Sequence, residues 1–385
     1  MKKLIAALVA VVFLVGFTFA QNTSTVTQSS STNTATVTQS GSNQTSTLLQ
    51  NTGNNNKATI NQLSSNTGPQ TSDVTQSGSN NIANVNQSQT GSGDKFLNSV
   101  FLEQVGNNNQ MTQKENAPTS NSGQSETAHQ TGNYNVGTQN ITAGYTESFT
   151  LTQMGGNYNT SSQTMSGHTN TAQVTQNGSY NTASQSVTGN NNGYYGNNAH
   201  SLGFGITQNG NNNNATQTVN STIGYNYSNH AVIESDGNNN TAKQNLTGSS
   251  IAARIMQDGN NNTATQTDNG SNNANLGFTT DINQTGSYNK ATTNQTGDDN
   301  TASIYQTLNY NTATLTQSDG LNAADFTQNG YTNTIQATQS FGGNTATASQ
   351  VGNTNLLKLT QAGAGGNSST TTQTGNNNTA TVNQH

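Results

Sequence analysis

The chain has 385 residues, of which 27% are hydrophobic and 6% charged, with no Cys, no Trp, two Pro and a formal net charge of −6. A globular protein of this length builds two or three apolar cores, and this composition is too poor in apolar residues for that. Charge-driven disorder is argued against by the same low charge, which leaves an Asn/Gln-rich sequence prone to β-stacking; an acidic, sparsely charged chain is also a poor partner for nucleic acid.

In chain order, residues 1–20 come first. Met1-Lys2-Lys3 is a positive start, Leu4 to Phe17 an apolar run and Thr18-Phe19-Ala20 a small-residue cleavage site. The pattern predicts a secretory signal peptide cut between Ala20 and Gln21. The apolar run is short for a bilayer and no later segment is expected to span one. Loss of Lys2 and Lys3 takes the net charge from −6 to −8. Without Cys the exported chain has no disulfides to hold it, so its order must come from repeated hydrogen bonds.

Residues 21–175 carry a loose repeat. Gln28, Asn33, Ala35, Val37 and Gln39, then Gln76, Gly78, Asn81, Ala83, Val85 and Gln87, approximate a common phrase. Between Gln87 and Gln130 the intervals lengthen and Asp94, Lys95, Lys114 and Glu115 gather, with the two prolines at Pro69 and Pro118. Irregular coils or loops are expected there.

Residues 176–385 are expected to be the regular, assembly-competent part. Two strand classes alternate: Asn181, Ala183, Gln185, Val187 and Asn213, Ala215, Gln217, Val219 represent one, and the bulkier Leu202, Phe204, Ile206, Gln208 and Ile251, Ala253, Ile255, Gln257 the other. Inserts such as Gly193-Tyr194-Tyr195-Gly196 stretch some intervals and are placed at coil corners, where they leave the ladder undisturbed.

From Gln284 the metre is strict, with Gln at 284, 295, 306, 317, 328, 339, 350 and 361, then at 373 and 384 after a single-residue slip. Thus Gln284, Gln295, Gln306, Gln317, Gln328, Gln339, Gln350, Gln361, Gln373 and Gln384 open successive units reading Q-x-G-x-x-N-x-A-x-x-x-Q. The Asn five residues on, the small or aliphatic residues at +7 and +9 and the next Gln share one face of a strand. Asn289, Asn300, Asn311, Asn322, Asn333, Asn344, Asn355 and Asn378 therefore point inward with the glutamines. Gly286, Gly297, Gly330, Gly352 and Gly375 at +2 set the turns. Two units close a coil of about 22 residues. The fold class is all-β: a β-solenoid of stacked two-strand coils with amyloid-like parallel in-register stacking, roughly sixteen coils in all. Inward amides satisfy one another along the stack. Ser235 stands where Gln is expected, and Leu308 and Phe341 stand where Gly is, implying turns of another type.

The repeated phrase behind a signal peptide, in an Asn/Gln/Gly/Ser-rich, Cys-free chain, resembles the curlin repeat of curli amyloid subunits. The resemblance implies an exported subunit that joins a fibre with other copies of itself in the extracellular matrix of a Gram-negative biofilm. It also implies a nucleator subunit and a dedicated outer-membrane secretion pore. With no capping helix after Gln384, the open ends of the stack are expected to join further copies. Asp258, Asp268, Asp298, Asp299 and Asp319, beside Gly or Asn, read either as gatekeepers that slow assembly or as solvated turn residues.

Rival functions find less support. His129, His168, His200, His230 and His385 share no metal-ligand spacing, no nucleophile elbow or P-loop occurs, and Asp298-Asp299 reads as a turn. Neither catalysis nor a cofactor is expected. The calcium-solenoid phrase is absent because Gly155-Gly156, Gly342-Gly343 and Gly365-Gly366 lack its aspartate. The remaining alternative is a monomeric binding solenoid, an ice-binding protein or adhesin, using outward threonines such as Thr34, Thr36, Thr38 and Thr312, Thr314, Thr316. Thr also simply favours exposed strand positions, and Lys290, Tyr305 and Asp325 break the rows.

Overall fold

The computed structural model describes residues 21–64, 68–89, 97–117, 123–145, 147–168, 170–190, 204–221, 230–271, 280–363 and 366–385. The expected signal peptide with Ala20, the Tyr194-Tyr195 insert and Leu202 lie outside them; Gln21 is described. Among the described residues, strands from Thr23–Gln28 to Thr379–Gln384 alternate between two fifteen-stranded sheets. Each strand pairs in parallel with the strands one coil before and after it in its own sheet. One strand from each sheet makes a coil, so the described residues form a β-solenoid of fifteen coils. The coil step is 22 residues where the metre is strict, as from Gln306 to Gln328. It stretches to 32 from Gln176 to Gln208, and such inserts account for the difference from the expected sixteen.

The strands form because the alternation fits the pleat. In Thr301–Thr307, Ala302, Ile304 and Gln306 are buried while Tyr305 and Thr307 are exposed. Stacked β-branched and aliphatic residues pack well on such a surface. The apolar column runs the length of the stack, from Leu48 and Ile60 to Leu357 and Leu359. A second, shorter column holds Ile141, Phe149, Met165, Phe204, Leu246 and their neighbours in the middle coils.

The two corners of each coil differ. The corner leading from the first sheet to the second keeps a Gly-x-x-Asn form, as in Gly330-Tyr331-Thr332-Asn333. Gly330 has φ of 144°, and a Cβ there would lie 1.8 Å from the Gly352 carbonyl oxygen, so only glycine fits. Every segment beyond the leader that lies outside the described residues falls at the opposite corner, between a second-sheet strand and the next first-sheet strand. Long insertions thus fall at one edge, and the other corner varies by a single residue, the steps Gln50 to Asn56 and Gln153 to Asn159 being one longer than the rest.

Three expectations are corrected. Leu308 and Phe341 do not introduce another turn: both take positive φ, 68° and 65°. The Leu308 carbonyl accepts the Asn289 side-chain N–H at 2.7 Å as the Gly330 carbonyl accepts that of Asn311 at 2.9 Å. The stretch after Gln87 is not irregular: Asn98–Val105, Gln110–Ala117 and Ser125–Thr131 pair in register with their neighbours. Within it Glu115 is fully buried, whereas Asp94, Lys95 and Pro118 lie outside the described residues. Asp268 is likewise no turn residue, being buried in Thr263–Ser271.

Candidate functional site

The side chains picked out by the metre form four inward columns. In the first sheet Gln284, Gln306, Gln328, Gln350 and Gln373 join side chain to side chain, each Nε2–H donating to the next Oε1 at 2.7–2.9 Å. In the second sheet Gln295, Gln317, Gln339, Gln361 and Gln384 do the same at 2.8 Å. The other amide hydrogen crosses to the opposite sheet. Gln306 donates to the Lys290 carbonyl at 3.0 Å and Gln317 to that of Thr301 at 2.9 Å. Each glutamine thus holds coil to coil and sheet to sheet, a cross-tie that spacing alone does not reveal.

Asparagines divide between the corners. Asn289, Asn311, Asn333, Asn355 and Asn378 end a column that begins at Asn33; each Oδ1 accepts the backbone N–H of the next member, at 3.0–3.1 Å here. Asn300, Asn322 and Asn344 form the matching column at the opposite corner. Gly297, Gly330, Gly352 and Gly375 lie at bends between strands, whereas Gly286 falls near the end of the strand Thr280–Ser287; all five have φ between 98° and 144°. At these corners an otherwise buried amide satisfies both its own groups and the backbone.

The columns have breaks. Ser235 interrupts the first-sheet glutamines: its hydroxyl lies 3.1 Å from Gln257 Oε1, while Gln208 Nε2 donates to the Thr182 carbonyl. In the second sheet the glutamine column changes place twice. It runs Gln39, Gln62, Gln87 and then meets Glu115, whose Oε2 accepts from Gln87 at 2.9 Å. Gln113, two residues earlier, starts a new column through Gln139, Gln163, Gln185, Gln217 and Gln244 to Gln266. At Gln295 the original place resumes, one coil after Asp268. Between the exchanges the vacated position is apolar and packs on Phe149 and Phe204, which creates the second apolar column.

A carboxyl group therefore marks each exchange. Glu115 lies directly under Ile141, and Glu126, on the facing sheet, under Phe149. Neither oxygen of Glu126 has a hydrogen-bond partner, nor does the Gln124 amide. Burial pushes Glu115 up to about 8, against the lowering effect of the Gln87 bond. Glu126 is driven well above the ordinary carboxylate range by burial and then by Glu115 itself. Glu147, buried near the same corner and bonded by Asn170 at 3.2 Å, is pushed up to about 9 by burial.

Outward faces are mixed. The Thr312, Thr314, Thr316 row is followed by Thr334, Gln336 and Thr338 and preceded by Lys290, Thr292 and Asn294, so no flat threonine array forms there. Among the described residues no group of three or more His, Asp or Glu is placed to hold a metal ion, and no helix is long and apolar enough to cross a membrane. The first and last coils each pair on one side only.

These features define a parallel β-solenoid held by polar ladders. Residues 31–63, 279–307 and 332–363 match the family model of the curlin associated repeat. Three stretches of the chain are thus similar to the curlin repeat, and both that repeat and the β-solenoid are structural. No curated protein matches the chain in sequence.

Proposed function

We propose that this chain is a secreted structural subunit that polymerises into curli-like amyloid fibres outside the cell, serving biofilm matrix, adhesion and surface colonisation. The observation that carries the reading is the likeness of the two one-sided coils. Laid in the register that every other coil keeps, Thr379-Ala380-Thr381-Val382-Asn383-Gln384 falls on Thr34-Ala35-Thr36-Val37-Thr38-Gln39 of a second copy. Ser369 and Gln373 likewise fall on Ser24 and Gln28. Gln28 and Gln39 have free Oε1 positions of the kind that accept within the stack, and Gln373 and Gln384 have the matching donors. Ala meets Ala, Val meets Val and both glutamine columns continue, so the join repeats an internal step and covers edges that otherwise expose backbone groups.

The curlin likeness further supports export from a Gram-negative cell through an outer-membrane pore, and growth from a nucleator subunit. The ladder residues Gln284 to Gln384 serve in this reading as the spine, and residues 176–385 as the assembly-competent core. Fibre diffraction on the purified mature chain tests the reading: a meridional spacing near ~4.8 Å is expected, and a chain that stays monomeric at high concentration overturns it. Val382→Lys, on the half-buried face of the last strand, is expected to slow elongation while Thr381→Lys, on its exposed face, is not. Thermal hysteresis by a non-fibrous chain would favour the monomeric ice-binding alternative.

A further inference from the structure

The corner from the first sheet to the second carries one residue per coil in the left-handed region just before the ladder Asn. In most coils it is a polar residue such as Asn108, Asn212, Asn239 or Asn261. In two runs it is tyrosine. Tyr134, Tyr158 and Tyr180 occupy three successive coils, and Tyr288 and Tyr310 two more. The backbone fixes these rings one above another. Centroids are 4.8 Å apart for Tyr134 and Tyr158, 5.0 Å for Tyr158 and Tyr180, and 4.9 Å for Tyr288 and Tyr310, with planes within 3–8° of parallel. All five tyrosines are 45–56% exposed, so both stacked columns are open to solvent.

Packing does not require this arrangement, since asparagine fills the same corner elsewhere and the rings add nothing to either apolar column. Parallel phenols one coil apart, open to solvent, are instead arranged for oxidative coupling. We propose that the two tyrosine columns are modification sites at which a peroxide-fed haem peroxidase forms dityrosine and so staples coil to coil. Each phenol of a pair gives up one electron and one proton. The two tyrosyl radicals join through a carbon–carbon bond between ring carbons ortho to the oxygens. The ortho hydrogens then move to the oxygens and restore both phenols, while hydrogen peroxide takes up the two electrons and two protons and leaves as two waters. Because the partners are preset on one chain, the bond forms within a molecule and along the stack axis. It does not depend on polymerisation.

Two further exposed tyrosines are internal controls. Tyr305 has Asn283 and Thr327 as strand neighbours, and Tyr331 lies between Asn309 and Asn353 at its corner. Neither has a tyrosine at the position paired with it one coil away. The test treats a mixture of unlabelled and nitrogen-15-labelled chains with a haem peroxidase and hydrogen peroxide, then maps cross-linked peptides by mass. Single-isotope species joining Tyr134 or Tyr180 to Tyr158, and Tyr288 to Tyr310, are expected. Tyr158→Phe leaves Tyr134 and Tyr180 two coil steps, about 10 Å, apart and abolishes the upper cross-link while the lower one persists. Adding Tyr288→Phe abolishes both. Mixed-isotope cross-links in excess, or Tyr305 and Tyr331 coupling as readily as the columns, overturns the proposal. Unchanged circular dichroism in both variants ensures that loss of coupling does not reflect loss of fold.

Discussion

Glu115 and Glu126 make the coils around them sensitive to pH. The carboxyl of Glu115 rises from its ordinary 4.5 to about 8 on burial, so between those values the unfolded segment has released a proton that the folded coil retains. Stability then falls as pH rises, by about 1.4 kcal/mol for each pH unit. It is fully present below 4.5 and lost on the way to about 8. At pH 7 the loss from this group is on the order of 3 kcal/mol relative to pH 4.5, and Glu126 adds to it in the same direction. Coils in a solenoid contact only their neighbours, so the effect is local rather than global. Hydrogen exchange of amides in Asn98–Val105, Gln110–Ala117 and Ser125–Thr131 reads it directly. After correction for intrinsic rates, protection is expected to drop by at least about tenfold per unit between pH 5 and pH 7, tenfold for each carboxyl that stays protonated in the folded coil, while protection in Thr312–Gln317 stays level. With Glu115→Gln, Glu126→Gln and Glu147→Gln together, the isosteric amides carry no charge and the slope disappears; Glu147 is included because it is also raised by burial and its carbonyl accepts the Ser125 N–H. Flat protection in the native protein, or a slope that survives in the triple variant, refutes the reasoning.

Three further outcomes follow from the ladders. Gly330→Ala forces a Cβ to 1.8 Å from the Gly352 oxygen at a φ of 144° and is expected to destabilise by about 2 kcal/mol or more; Gly205→Ala, with no atom within 4 Å of its Cβ, is expected to shift the thermal midpoint little. Gln306→Leu removes the bonds to Gln284, Gln328 and the Lys290 carbonyl and is expected to cost about 2–3 kcal/mol, read from the denaturation midpoint. Ser235→Gln restores the missing member between Gln208 and Gln257 and is expected to raise the thermal midpoint by the equivalent of about 1 kcal/mol; a fall would show that the site has closed around serine.

Much of the inside was legible because strand geometry turns spacing into side. Counting back by two from any glutamine of the metre between Gln284 and Gln361 lands on residues that the structure buries, and the polar Gln and Asn among them are what favour stacking. The second amide hydrogen was not legible, because which carbonyl it reaches depends on the offset between the sheets, a property of the closed coil. The same count also reaches the buried acids. Eleven residues beyond Gln104 is Glu115, eleven beyond Gln257 is Asp268, and four before Gln130 is Glu126. Charge was read there as a sign of loops, and the phase of the repeat was the stronger signal: a position that must be inward for the ladder stays inward when an acid occupies it. In Glu115 the acid retains the acceptor half of the glutamine it replaces, through Gln87, and lacks the donor half that would continue the column. The column therefore stops and restarts two residues away at Gln113. A single substitution in the metre thus accounts for the start of the second apolar column, the unpartnered carboxyl facing it and the pH dependence expected of these coils.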